Sequence, residues 1–452
     1  MTSVLSLQRL AFPLILGQLA FALNGFVTNF FLARASTTAF HASLPGFMLA
    51  AAFSIVFIAT LGYSGTMIAQ RHGAGDACGA RAVFGQALLL TFASAPLFLL
   101  AAPLGHYVLS VFDTEPAVLA AESDYFDILL ANGFFTALAA VLAGPFTGRG
   151  KTRLVGAVTT FGFLLNMTLA PIFINGRLGI PTSGVGGAGW AATIAHIAPC
   201  LILATVLLLS PKRPVRAFVR PKLRILVEIL RLGLPNGVRS LIDVGGFFVF
   251  VAILAECAPA TVAASTAAFA VNNIFQAFPQ GIAAAQEIVT ARGESSNVQA
   301  ALGLSAVYVL AFALTLTFSG TSVLDLFRAD DATFAPTTFH ATARILVLIL
   351  IIKAATESLT WILQAHLRGL GDTAAVFRLQ FIASCCFWIP LFLVVRRFYP
   401  TVPAYWLTML ACSSLSAILL TRRIRTLRQD DTTGNPDGYA DSSHGEPAAD
   451  LG

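Results

Sequence analysis

The sequence predicts an all-α polytopic membrane protein of about twelve transmembrane helices, arranged as two homologous six-helix lobes. Three observations carry this. Hydrophobic residues make up 57% of the 452 and charged residues 11%, with a mean hydropathy of +0.79; a soluble domain carries about 25% charged residues. Apolar stretches recur at the length of about 20 residues that a helix needs to cross the hydrocarbon, and the ten-residue alternation of a membrane β-barrel is absent. The chain also says the same thing twice, at an offset of about 220 residues. Leu10-Ala11-Phe12-Pro13 returns as Leu232-Gly233-Leu234-Pro235, and Gln70-Arg71-His72-Gly73 as Thr290-Ala291-Arg292-Gly293. Gly148-Arg149-Gly150-Lys151-Thr152 returns as Gly369-Leu370-Gly371-Asp372-Thr373. Two homologous membrane halves in one chain are the usual build of a secondary transporter, with the substrate site between them.

The first span, about 9–33, has a short n-region and runs too long for a cleaved signal peptide, so it reads as a retained helix. Spans follow at about 43–68, 82–109, 124–146, 154–176 and 187–209. The run Gly184-Val185-Gly186-Gly187-Ala188-Gly189 opens the last of these, where small residues let helices pack closely. A basic loop at 211–224, with Pro211, Pro214, Pro221 and six bases, separates lobe 1–210 from lobe 225–428. The second lobe repeats the series at about 225–255, 262–289, 298–326, 338–365, 375–396 and 402–421. Six is an even number, so both lobes enter the membrane in the same direction and are related by an axis along its normal. Residues 429–452 are rich in Asp, Gly, Ser and Pro, with almost nothing to bury, and predict a disordered tail.

A net charge of +6 and a pI near 9.2 suit nucleic acid poorly, because of where the bases sit. Arg71, Arg81, Arg149, Lys151, Arg153, Lys212, Arg213, Arg216, Arg220, Lys222, Arg224, Arg292, Arg368, Arg378, Arg422, Arg423, Arg425 and Arg428 flank alternate loops. Opposite loops are poor in bases or acidic, as at Asp113, Glu115, Glu122 and Asp124. This positive-inside pattern predicts cytoplasmic N- and C-termini, and the length and the absence of a targeting segment suit a plasma (bacterial inner) membrane. Arg396 and Arg397 fall on the wrong side. Six cysteines show no Cys-x-x-Cys and no histidine spacing, so neither disulfides nor a metal site are expected.

Nothing in the chain predicts an enzyme. A P-loop ending at Gly150-Lys151-Thr152 would need glycine where Pro145 stands, and its repeat has Asp372 in place of the lysine. The Gly184–Gly189 run opens an apolar span and lacks the strand of a dinucleotide fold. His41, His196 and His366 are scattered among acids and serines without forming a triad. With no ATP site and no cofactor, transport would draw on an ion gradient of H+ or Na+.

A charge at the bilayer centre costs at least about 2.5–3.5 kcal/mol. Five charges within predicted spans stand out, all in the second lobe: Arg239, Asp243, Glu287, Lys353 and Glu357. The first lobe offers neutral groups instead, Asn24, Thr28, Asn29, Asn132 and Asn166, and Asn272 and Gln276 add polar positions to the second. Arg239 and Asp243 are i,i+4, as are Lys353 and Glu357, so each base shares a helix face with its acid. Such pairs either neutralise themselves for insertion or form a cavity cluster in which a carboxylate trades its base for a cation. Intramembrane ionisable residues are functional by default, which favours the cluster. Glu287, near the inner end of its span, either joins that cluster or snorkels into water.

At this point the chain resembles the multidrug and toxic compound extrusion (MATE) family of secondary antiporters. The resemblance covers nearly all of residues 5–425. It rests on Ala11-Phe12-Pro13, the Gly73-Ala74-Gly75-Asp76 corner, Asn166-Met167-Thr168-Leu169-Ala170-Pro171-Ile172-Phe173-Ile174, the Gly184–Gly189 run and Leu367-Arg368-Gly369-Leu370-Gly371-Asp372-Thr373. It implies two lobes around a central V-shaped cavity and export of amphiphilic compounds in exchange for protons or sodium. In one branch of the family, an acid eight residues after the Gly-Leu-Pro proline matches Asp243. Another, eleven residues before the Leu-Arg-Gly arginine, matches Glu357. The first lobe departs from the family: Thr28 or Asn29 stands where an acid is usual, and Ala170 where a partner acid is expected. Arg239 and Lys353 are also outside the pattern, and they either tune the acids or contact an anionic or zwitterionic substrate.

The expected function is thus ion-coupled efflux of drug-like or metabolite compounds by rocking lobes, with Asp243 and Glu357 coupling. A dedicated single-metabolite exporter and a lipid-linked precursor flippase are the alternatives. The expected partners are a small amphiphilic substrate and the lipid bilayer, with no nucleic acid and no obligate protein partner, for a monomer.

Overall fold

The computed structural model describes residues 4–35, 37–111, 116–176, 184–209, 221–254, 256–294, 298–320, 322–325 and 336–433. The predicted tail beyond 433 and most of the basic loop between the lobes lie outside the described residues. Among those described there is no β-strand. The first half comprises α1 (Val4–Ala35), α2 (Thr37–Gly62), α3 (Ser64–Gly73), α4 (Ala77–Ser110), α5 (Pro116–Thr147), α6 (Thr152–Ile174) and α7 (Gly184–Leu209). The second comprises α8 (Leu223–Leu254), α9 (Pro259–Ala291), α10 (Val298–Ser319), the single turn α11 (Ser322–Asp325) and α12 (Pro336–Leu370). It ends with α13 (Thr373–Phe381), a π-helical stretch over Ile382–Trp388, α14 (Ile389–Phe398) and α15 (Val402–Thr433).

Among the described residues, eleven spans are long and apolar enough to cross a membrane. The twelfth predicted span is α9, which at 33 residues is long enough but carries Asn272, Asn273, Gln276, Gln280, Gln286 and Glu287. Polar groups of this kind are tolerated in a span when they face the bundle interior, and α9 packs between α1 and α12.

The duplicated motifs occupy duplicated places. Pro13 lies inside α1 and Pro235 inside α8. Gly150 and Gly371 both take a positive φ, 73° and 93°, a conformation open to glycine. Each turns the chain into a helix that starts two residues later, α6 at Thr152 and α13 at Thr373.

Each lobe has its own apolar core. Leu32, Phe98, Phe126, Leu130 and Ile174 build one in the first, and Phe250, Phe339, Leu350, Phe392 and Trp406 one in the second. A further cluster crosses between them, joining Leu7, Ala11 and Ile15 of α1 to Ile282 and Val289 of α9 and Ile362 of α12. The lobes also meet where Gly233 and Gly237 of α8, four residues apart, lie against α2. A Cβ at Gly233 would overlap the Thr60 carbonyl, and one at Gly237 the Thr60 hydroxyl and the Val56 carbonyl. Small residues four apart are the usual means by which membrane helices approach closely. These contacts sit toward one end of the bundle, the end that carries Arg71, Arg149, Lys222, Arg292 and Arg368. At the other end Arg396 pairs with Glu256 at 2.7 Å, so one of the two bases that broke the positive-inside pattern is neutralised locally.

Candidate transport site

On α8, Asp243 sits between the lobe contact at Gly237 and the helix end. Arg239 Nη1 donates to Asp243 Oδ2 at 2.6 Å and to Gln364 Oε1 of α12 at 3.3 Å. Gln364 Nε2 donates to Gln380 Oε1 of α13 at 3.1 Å, and Gln380 Nε2 donates back to Asp243 Oδ1 at 2.9 Å. The four side chains close a ring drawn from three helices. The i,i+4 spacing puts acid and base on one face; Gln380 completes the aspartate's coordination, and Gln364 links Gln380 back to Arg239. The base is the hidden member: the Arg239 side chain is 8% exposed and that of Asp243 34%.

The second pair repeats this arrangement on α12. Lys353 Nζ bonds Glu357 Oε1, and Gln276 Nε2 of α9 donates to Glu357 Oε2 at 3.0 Å. Gln280 in turn donates to Gln276 at 3.1 Å. Lys353 Nζ lies 5.7 Å from the centre of the Trp406 ring, close enough for a cation–π contact that helps hold a buried ammonium. Again the base is the deeper partner, 3% exposed against 17% for Glu357. Nearby Asn272 is buried, and its Oδ1 has no partner.

The first lobe has a neutral counterpart. Asn166 Nδ2 of α6 donates to Asn24 Oδ1 of α1 at 2.8 Å. The remaining Asn166 oxygen, the Thr28 hydroxyl and Asn132 Oδ1 are buried without partners. The side chain of Asn29 lies outside the described residues. No group of three or more His, Cys, Asp or Glu able to hold a metal occurs among the described residues.

Glu287 belongs to neither cluster and does not reach out to water. It forms an ion pair with Arg368, whose Nε and Nη2 donate to Oε2 at 2.9 and 2.8 Å. The other oxygen, Oε1, accepts from Thr66 Oγ1 of the opposite lobe at 2.7 Å. Sequence reasoning missed Gln364, Gln380 and Gln280, and also Thr66 and Arg368 as partners. Glutamines within predicted spans were the available signal for the first three.

Two six-helix lobes meeting at one end, with paired charges inside the bundle beside their interface, define a polytopic membrane transporter. Residues 13–172 match the MatE family model. A probable multidrug resistance protein NorM of Pseudomonas putida is 29% identical over 411 residues, 86% of each chain. A NorM of the same description from Xanthomonas campestris is 27% identical over 449 residues, 94% of each chain. Among solved structures, a MOP superfamily transporter from Pyrococcus furiosus, described as having a binding pocket of reverse polarity, superposes with a TM-score of 0.82 at 20% identity. That match covers 94% of this chain and 95% of the other. An outward-facing multidrug resistance MATE transporter gives 0.81 at 20% identity, covering 94% and 96%. The chain is thus similar to the MatE family over residues 13–172 and to NorM multidrug resistance proteins over most of its length.

Proposed function

We propose that the protein is an ion-coupled efflux antiporter that exports organic compounds in exchange for protons or sodium, with Asp243 and Glu357 as the coupling acids. The multidrug resistance relatives support export of drug-like compounds. The single observation that carries the coupling assignment is the inverted exposure within each pair: both carboxylates are more open than the bases behind them. A cation arriving from the cavity meets a carboxylate first. The guanidinium and ammonium act as internal partners that orient each carboxylate until that cation takes their place. This geometry favours a role for Arg239 and Lys353 in tuning the acids over direct contact with an anionic substrate.

The bundle orientation follows the bases. With the basic end in the cytoplasm and both termini there, the lobes are sealed inside and the acid pairs lie above the seal. Rocking the lobes about the site would expose it alternately to each side, and a bound cation shifts the balance only by its differential affinity for the two states. The test is transport in proteoliposomes under an imposed proton or sodium gradient, with a fluorescent organic cation as cargo and ionophores to name the ion. Asp243→Asn or Glu357→Gln should lose gradient-driven efflux while the protein stays folded. Wild-type rates in both variants would overturn the assignment.

A further inference from the structure

The end that carries the bases is held shut by more than apolar packing. Three side chains of the first lobe, Tyr63, Thr66 and Gln70, follow one another at i, i+3 and i+7, which places them on one helix face. The Tyr63 hydroxyl donates to the Arg368 carbonyl at 2.7 Å, and Gln70 Nε2 to the Gly369 carbonyl at 2.9 Å. Between them, Thr66 donates to Glu287. All three reach the same small target in the second lobe, the end of α12 and the Glu287 carboxylate that pins it. Glu287 is the pivot, because one oxygen fixes Arg368 within its own lobe and the other receives the opposite lobe. Alongside, Gly73 lies so close to the Arg292 backbone that a Cβ would overlap its carbonyl.

We propose that Glu287 and Arg368 form a latch that locks the lobes at the basic end, making Glu287 a positioning residue of the transport cycle, separate from the coupling acids. This rests on the alternating-access reading above. The repeat places Met67 opposite Glu287 and Thr147 opposite Arg368, so the ion pair exists in one lobe only. Arg368 Nη1 is buried without a partner. An unmet donor penalises the closed arrangement, which suits a contact that must release rather than a permanent strut.

The test is hydrogen–deuterium exchange on the full chain in lipid nanodiscs, without substrate or gradient. Thr66→Val and Tyr63→Phe each remove one cross-lobe hydroxyl with little change of shape. Each should move the closed-to-released ratio about 2- to 10-fold, the effect of one hydrogen bond. Exchange should rise at residues 63–73 and 365–371 and fall in step at the outer ends of α8 and α9, as one end opens and the other closes. Glu287→Gln should shift it further, since charge-assisted hydrogen bonds are about twice as strong as neutral ones. Unchanged exchange in Thr66→Val and Tyr63→Phe, or a rise at the basic end with no fall at the outer end, would overturn the latch. Because no ion gradient enters this readout, its failure leaves the coupling assignment standing, and failure of the Asp243 and Glu357 variants leaves the latch standing.

Discussion

The two lobes are built on one plan and carry different chemistry at corresponding depths. In the first, α1 and α6 are joined by a neutral bond between Asn24 and Asn166. In the second, Arg239–Asp243 and Lys353–Glu357 lie among α8, α9, α12 and α13. Even the matched corners have diverged. Lys151 precedes α6 without a side-chain cap, whereas Asp372 caps α13 and also pairs with Arg423 at 2.8 Å. Backbone positions such as Pro13 and Pro235, or Gly150 and Gly371, answer to helix geometry and stay duplicated. Charges are not bound by that geometry, and the Arg239–Asp243 and Lys353–Glu357 pairs have no charged counterpart at Asn24 and Asn166.

The sharpest way to break this contrast is to separate an acid from its base. Arg239→Met leaves Asp243 without its counter-ion inside the bundle; breaking a fully buried pair this way costs about 3–5 kcal/mol, an upper bound here because Asp243 is 34% exposed. The double variant Arg239→Met with Asp243→Leu removes both charges and should recover most of that loss, as apolar replacement of a buried pair is often neutral or stabilising. Thermal unfolding in detergent reads both. Transport should be absent in each, which separates stability from coupling. If the double variant is no more stable than the single, the pair is a structural strut and not a site tolerated for function.

A smaller effect is expected where the lobes touch. Gly237→Ala drives a methyl into the Thr60 hydroxyl and the Val56 carbonyl, and overpacking of this kind costs about 1–3 kcal/mol. Because the strain falls between lobes, it should speed exchange at the basic end more than it lowers the unfolding temperature. A drop in stability with unchanged exchange would place the strain within one lobe.

Much of this was legible in the sequence, for a physical reason that also marks where reading stops. Spans, repeat and acid–base spacing are local or periodic, so composition and i,i+4 geometry reveal them. Gln364 joins Arg239 and Gln380 joins Asp243 from more than 120 residues away, and nothing in their own neighbourhoods announces a charged partner. Thr66 and Glu287 belong to different lobes, 221 residues apart, and no local pattern links them. For α9 the difficulty runs the other way: the side chains that place Gln276 against Glu357 are the same ones that dilute its apolar character.

The smallest predicted effect sharpens the comparison most. Asn24→Ala removes the acceptor for Asn166 and with it the polar link between α1 and α6. Hydrogen bonds between membrane helices contribute about 0.6 kcal/mol on average, because the separated helices find other partners. The expected shift in unfolding temperature is therefore small, several times less than for Arg239→Met, and the gradient dependence of transport should be unchanged. That outcome would mean the first lobe acts as a scaffold against which the second lobe's charges work. A large loss of driven transport in Asn24→Ala at unchanged stability would instead make the neutral pair, with the unpartnered Thr28 and Asn166 oxygens beside it, a second place where the ion is held.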